Sequence, residues 1–482
     1  MAKEEPLVKE IVPQSEDFSA WYISVIRKAD LMDYAPVRGC IVFKPDGYEL
    51  WEACQEGLNR RFKATGHRNA YFPTLVPESF FEKEKEHVEG FAPELPWVTE
   101  VGDEELEERL ALRPTSETII GHMYARWIKS YRDLPVLINQ WANVFRWEKR
   151  TLPFLRTTEF LWQEGHTAHA TEEEAREETL RMLEVYRDFV ETDLAIPVIK
   201  GQKTPRERFA GAVETYSIEA MMKDGKAVQA GTSHYLGTNF AQGFGIQFLD
   251  RDNQLKYVHT TSWGVSTRLI GCLIMVHGDD RGLALPPKVA PTQVILIPIG
   301  PAKVRDQVVA RAKELLQALQ AAGVRARLDD RDEYSPGWKF AEYEMRGIPL
   351  RLELGPRDLE QNQVLAVRRD TGEKLPISQD GLVERVQALL EEIQATMFQK
   401  ALAFREAHSY QAETLAELAG ILQEKTGFVL AGWCGDDACE LKVKEETKAT
   451  ARNIPFDPPE RMARCLVCGR EAQHTVWYAR AY

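Results

Sequence analysis

Residues 143–166 read NVFRWEKRTLPFLRTTEFLWQEGH, and the pattern predicts a strand, a basic loop and a returning strand. Arg146 and Glu148 stand two positions apart, and alternate residues of a strand share a face. The guanidinium and the carboxylate would therefore enter one pocket side by side. An arginine fork can grip carboxylate and phosphate oxygens together. Residues 149–156, KRTLPFLR, would form a mobile basic loop over those phosphates, and Phe160 on the returning strand offers a flat apolar face for a base. The stretch suits a nucleoside triphosphate. Alone, an R-x-E pair equally describes an exposed hairpin with surface salt bridges, so its surroundings decide.

On one side lies RPTSE at 113–117, which sets Thr115 and Glu117 two apart; on the other, SWGVSTRLIG at 262–271 places Arg268 before an apolar run. RPTSE also reads as a helix start, with Thr or Ser as the cap, and the two readings are compatible. LWQEGHTAHA at 161–170 and GTSHYLGTNF at 231–240 complete the series, with GHRNAYFPTLVP at 66–77 ahead of it. In this order the pieces resemble the class II aminoacyl-tRNA synthetases, most closely the prolyl-tRNA synthetase family. The resemblance covers nearly the whole chain. It implies an α+β multidomain protein whose catalytic domain, residues 1–285, is an antiparallel sheet flanked by helices. Segment 66–77 resembles motif 1, a dimerisation element, and so implies a homodimer; 143–166 resembles motif 2, and 262–271 a variant of motif 3. No G-x-x-x-x-G-K-S/T and no strand-GxGxxG-helix occurs in the sequence, which fits a family that grips ATP with arginines instead of a glycine cradle.

What the resemblance implies chemically is activation of L-proline by ATP with Mg²⁺, then transfer of the prolyl group to tRNA(Pro). Positioning and charge stabilisation must supply the acceleration, because the protein has no covalent step to perform. Arg146 would bridge the proline carboxylate and the α-phosphate, and Arg268 would hold the γ-phosphate. Glu148 would serve adenine or orient an arginine, with Phe160, Arg156, Gln229 and Thr232 also lining the ATP site. Proline carries a secondary ammonium whose two N–H groups need acceptors once buried, and Thr115 and Glu117 supply them. Trp162, Phe91 and Phe240 would wall the pyrrolidine ring, with His166, His234, Ser262 and Trp263 completing the pocket. The 62 residues between His166 and Gln229 leave no space for the editing domain that many bacterial-type relatives carry, so the chain resembles the archaeal and eukaryotic type.

At 286 the texture changes. LPPKVAPTQ is a Pro-rich joint, and strands and helices then alternate, as in an open α/β sheet that is largely parallel with antiparallel edges. Residues 286–402 resemble the anticodon-binding domain of class II synthetases. Ten Lys/Arg against eleven Asp/Glu between 325 and 374 make no basic patch. Mixed charge can still read the Watson–Crick edges of unpaired guanines, and Lys339, Glu342, Arg351, Glu353 and Arg369 are the candidates. Residues 403–482 form a small α+β unit. In it Cys434-x4-Cys439 and Cys465-x2-Cys468 make two knuckles that suit a structural tetrahedral Zn²⁺; two disulfides are the alternative, disfavoured in a cytosolic setting. Cys40, Cys54 and Cys272 read as small buried hydrophobes.

The chain has 482 residues, 44% of them hydrophobic, and a net charge of −13. An acidic whole does not exclude a polyanionic partner, since binding needs only local cations. MAKEEPLVKE has no apolar signal core and LIGCLIMV is too short for a membrane span, so a cytoplasmic, membrane-free enzyme is expected. A threonyl or glycyl synthetase, or a non-catalytic RNA-binding paralogue, are the alternatives.

Overall fold

The computed structural model describes residues 11–85 and 94–482. Its centre is an antiparallel run of strands: Val198–Gln202, Glu214–Met221, Ala227–Gly237, His259–Ser266, Glu159–His169 and Val136–Phe145, closed by the short parallel strand Arg68–Asn69. The register sets His234 opposite Ser262, and Ser262 opposite His166, so three pieces of the sequence meet in one row.

Helix Glu172–Thr192 covers the rear of this sheet. Thr171 caps it by accepting from the Glu174 amide, and three glutamates fill its first turn, where the helix dipole favours anions. Its apolar stripe, Met182, Leu183, Tyr186, Phe189 and Val190, is fully buried. Tyr186 and Phe62 pack on the Trp263 indole at centroid distances of 6.2 and 5.1 Å. The indole also crosses Gly165, where an added Cβ would lie 2.1 Å from its ring carbons. Only glycine lets a tryptophan lie across this strand. The apolar run after Arg268 is a helix, Arg268–His277, buried from Leu269 to His277.

Residues 294–378 carry a five-stranded sheet. Ala326–Leu328, Val294–Pro298 and Leu350–Leu354 are parallel, while Gln363–Arg368 and Lys374–Ser378 add antiparallel edges, as the alternating texture predicts. Helices Ala302–Ala321 and Leu382–Ala407 close its core around Leu296, Leu315, Leu352, Leu389 and Ile393. The second helix passes position 402 without interruption. Arg369 anchors this unit to the catalytic one through a two-toothed contact with Asp279 at 2.8 and 2.6 Å.

The C-terminal strands Ser409–Gln411, Phe428–Trp433, His474–Ala479 and Thr450–Pro455 do not form a sheet of their own. Ile454 and Pro455 pair with Gln202 and Gly201, so the C-terminal unit extends the catalytic sheet to eleven strands. Among the described residues no helix is long and apolar enough to cross a membrane.

Candidate active site

A cavity of about 290 Å³ opens on the front of the central sheet. Strand Glu159–His169 builds its floor by simple alternation: Phe160, Trp162, Glu164 and His166 all face it. Glu164 is the member that the motifs left out, although alternation along the strand places it on the same face as Trp162 and His166.

One end of the cavity is acidic. Arg113 is completely buried and donates to the carbonyls of Phe72 and Asn143 at 2.6 and 2.9 Å, which fixes the loop entering helix Glu117–Trp127. Ser116 is the residue before that helix, yet its side chain does not cap it. The Ser116 amide instead donates to Glu164 at 3.0 Å, and Gln140 Nε2 donates to both the Ser116 hydroxyl and Glu164. Thr115 donates its hydroxyl to the Glu117 carboxylate and lies 3.4 Å from Glu164. Acceptors from Thr115, Glu117 and Glu164 thus converge on one spot, which suits an ammonium group.

The other end is cationic. Arg146 is surrounded by protein but stays open to the cavity, its guanidinium 5.4 Å from the ring centres of both Phe160 and Trp162. Its Nε donates to the Pro114 carbonyl at 3.2 Å. Arg268 donates to the carbonyls of Leu155 and Gln229 at 3.2 and 3.4 Å. Burial pushes the pKa of both groups down, and among the described residues neither forms an ion pair with a carboxylate. Gln229 and Thr232 line the same end, and Ser262, Trp263 and His234 complete the wall. The Trp162 Nε1 and Ser262 Oγ atoms are buried without a partner.

The two cavity histidines differ. Burial disfavours the His166 imidazolium, but the hydrogen bond from His166 Nε2 to Glu164 at 2.9 Å and the charges of Glu117 and Glu164 outweigh it and raise the pKa. His234 has no such partner. It shares a hydrogen bond with Thr215 at 3.0 Å, and burial, helped by His166, pushes it down to about 3.

Several expectations need correction. Arg146 and Glu148 are not on a strand: the strand ends at Phe145, and after one last bond from the Arg146 amide to Thr158 the chain leaves the sheet. Arg146 reaches the cavity from that corner, whereas Glu148 and Arg156 lie outside its lining and face each other at 3.9 Å. Phe240 packs with Ala212 and Leu236 in a separate cluster, and Phe209 takes the cavity wall in its place, its ring tilted against His234 at 4.7 Å. Phe91 falls outside the described residues.

The four C-terminal cysteines converge. Cys434 Sγ lies 3.8 Å from Cys439 Sγ and 3.6 Å from Cys468 Sγ, and all four sulfurs lie within 4.8 Å of one another. A tetrahedral ion with Zn–S bonds of about 2.3 Å requires sulfurs about 3.8 Å apart. The cluster fits that ion, and none of the four is in a disulfide. Arg470 donates to Cys468 at 3.3 Å and to Cys434 at 3.6 Å, the position of a cation that offsets thiolate charge.

Of the residues expected to read an anticodon, Lys339 is buried and donates to the Asp329 and Arg331 carbonyls. Arg369 is taken by Asp279, Glu342 by Arg346 at 2.7 Å, and Glu353 by Arg351 at 2.9 Å. All five serve contacts within the protein.

The sequence comparisons agree along the whole chain. Residues 97–277 match the tRNA synthetase class II core domain (G, H, P, S and T), 293–389 an anticodon binding domain, and 415–482 the Prolyl-tRNA synthetase C-terminal domain. A protein named proline–tRNA ligase from Symbiobacterium thermophilum is 76% identical over 489 residues, covering both chains completely. The chain belongs to the proline–tRNA ligase family. Relatives of the same name from Natranaerobius thermophilus and Ruminiclostridium cellulolyticum are 58% and 55% identical, each aligned over at least 99% of both chains.

The histidine pair gives a titration test. In NMR of histidine-labelled protein, His166 should titrate above the ordinary value of about 6.5, while His234 stays neutral from pH 5 to 8. A raised folded-state pKa stabilises the protein below the unfolded value, and that contribution fades as pH rises through the folded one. Glu164→Gln should bring the His166 midpoint down; an unchanged midpoint would refute the role given to Glu164.

Proposed function

We propose that this protein activates L-proline with ATP to prolyl-adenylate and transfers the prolyl group to tRNA(Pro). The observation that carries this reading is the polarity of one cavity, with two carboxylates and a hydroxyl at one end and two guanidinium groups without carboxylate partners at the other. An amino acid spans such a cavity in one direction only.

In this reading the secondary ammonium of proline donates to Thr115 and Glu117, with Glu164 holding both in place through Ser116. Trp162, Phe209 and His234 enclose the ring, and a neutral His234 suits an apolar pyrrolidine. Arg146 holds the proline carboxylate against the α-phosphate, where a preorganised cation acts on charge that grows in the transition state. Arg268 takes the far phosphates, and Gln229 and Thr232 offer oxygens to the magnesium that accompanies ATP. Phe160 provides the stacking face for adenine. Glu148 and Arg156, on the loop outside the cavity, are positioned to close over the nucleotide.

Three further assignments accompany this one. Zn²⁺ is the ion for the Cys434, Cys439, Cys465 and Cys468 cluster, with a structural role. A homodimer forms through the motif 1 surface, where Tyr71 and Trp127 are exposed large aromatics flanking the buried Phe72 and Leu249 lies exposed beside Ser130. The setting is the cytoplasm. Base reading falls to a surface the charge count passed over: Tyr334 and Trp338 stack at 4.0 Å with Arg331 across both rings, at the entrance to helix Pro336–Met345. An exposed Tyr334 ring on a half-buried Trp338, beside an arginine, suits unpaired bases.

Proline-dependent ATP–pyrophosphate exchange, run against all twenty amino acids, tests the activity; exchange driven by threonine or glycine would overturn the substrate. Arg146→Ala should lower the rate roughly 10²–10³-fold, and wild-type rates in that variant would refute the mechanism. Trp338→Ala should leave exchange intact but raise KM for tRNA about five- to hundredfold, from a stacking energy of about 1–3 kcal/mol. Metal analysis should give one zinc per chain, and Cys465→Ser should lower both zinc content and Tm.

A further inference from the structure

The ATP end of the cavity depends on a hairpin, strands Glu214–Met221 and Ala227–Gly237, that carries Gln229 and Thr232. Glu219 lies directly across this hairpin from Gln229 and is completely buried. Its two carboxylate oxygens are divided between the two halves of the molecule. Oε1 accepts from Lys203 at 2.8 Å and from Ser217 at 2.9 Å, both in the catalytic unit. Oε2 accepts a fork from Arg452 of the C-terminal unit, Nε at 3.0 Å and Nη2 at 2.8 Å. Lys203 closes the ring by donating to the Arg452 carbonyl at 2.6 Å.

We propose that Arg452 is a positioning residue for ATP binding: by gripping Glu219 it fixes the strand opposite Gln229. Burial works against the Glu219 carboxylate, yet Arg452 and Lys203 outweigh it and hold the group below the usual range. The same carboxylate is among the groups that favour the charged form of Arg268, whose guanidinium contacts the Gln229 carbonyl. The turn of the hairpin, two positions beyond the Glu219–Gln229 pair, is held by the C-terminal unit too: the Ala227 amide donates to the Arg480 carbonyl at 2.8 Å, and Tyr482 Oη donates to Asp224 at 2.7 Å. Two grips from one unit, both near the turn of the hairpin, tie that unit to the strand that carries Gln229.

This inference rests on the reading of Gln229 and Thr232 as ATP-side residues, and the experiment separates the two. Full-length, zinc-replete wild type, Arg452→Met, Arg452→Lys and Thr204→Val are compared in proline-dependent ATP–pyrophosphate exchange and in thermal melts. Arg452→Met keeps the Lys203–Glu219 pair, so no carboxylate is left without a partner. It should raise KM for ATP about tenfold with KM for proline nearly unchanged, and Arg452→Lys should recover part of the loss. Thr204→Val removes the Thr204–Glu440 hydrogen bond of 2.9 Å at the same junction without touching Glu219; it should lower Tm and leave both KM values alone. An unchanged KM for ATP in the Arg452 variants, equal rises for ATP and proline, or the same rise in Thr204→Val would overturn the proposal while leaving the activity reading intact. If Arg452→Met does not fold, the intermediate KM expected of Arg452→Lys decides. Wild type without exchange would instead sink the reading on which the proposal rests.

Discussion

Two guanidinium groups at the rim of one cavity, Arg146 exposed to it and Arg268 half-buried, with only carbonyl oxygens to hold them, are the constraint around which the molecule is organised. A charge drawn partly out of water without a counterion favours any ligand that supplies one. Arg146 and Arg268 keep part of that deficit open toward a cavity. The surrounding architecture preserves it: the Pro114 and Gln229 carbonyls orient the forks, the Phe160 and Trp162 rings flank one of them, and no carboxylate of the described residues pairs with either. The energy withheld from folding is available to an anionic ligand.

The separation of acid from base along the cavity follows from strand geometry. Alternation places Phe160, Trp162, Glu164 and His166 on one face in a fixed order, so the apolar wall and the acidic end come from a single strand. Glu164 then organises its neighbours through Ser116, Gln140 and His166. A His166 raised and a His234 lowered within one pocket show how a single carboxylate partner separates two otherwise similar groups.

Much of this was legible in the sequence wherever side-chain chemistry repeats at short range. The cysteine pairs follow from their spacing, whereas Trp162, His166 and Arg268 follow from the resemblance of their motifs to those of the class II synthetases. Less legible was anything decided by chain path. Nothing local says that the strand stops at Phe145, which moves Glu148 out of the lining, or that Phe209 and not Phe240 turns inward. The residues expected to read bases were chosen by charge, and charge in a folded domain is mostly spent internally, as Arg369 with Asp279 illustrates. The stacked pair Tyr334 and Trp338 lies four positions apart, one helical turn, a spacing easily passed over when attention is on ionic groups.

The union of the C-terminal strands with the catalytic sheet also depends on long-range pairing, and sequence gives no warning of it. Because Ile454 and Pro455 pair with Gln202 and Gly201, the strand Val198–Gln202 has a neighbour on each side. Removing the tail would bare a row of backbone amides and carbonyls along that strand, the kind of edge that recruits other chains. A shortened protein would therefore be prone to self-association, and the last eighty residues act, among other things, as a guard against aggregation.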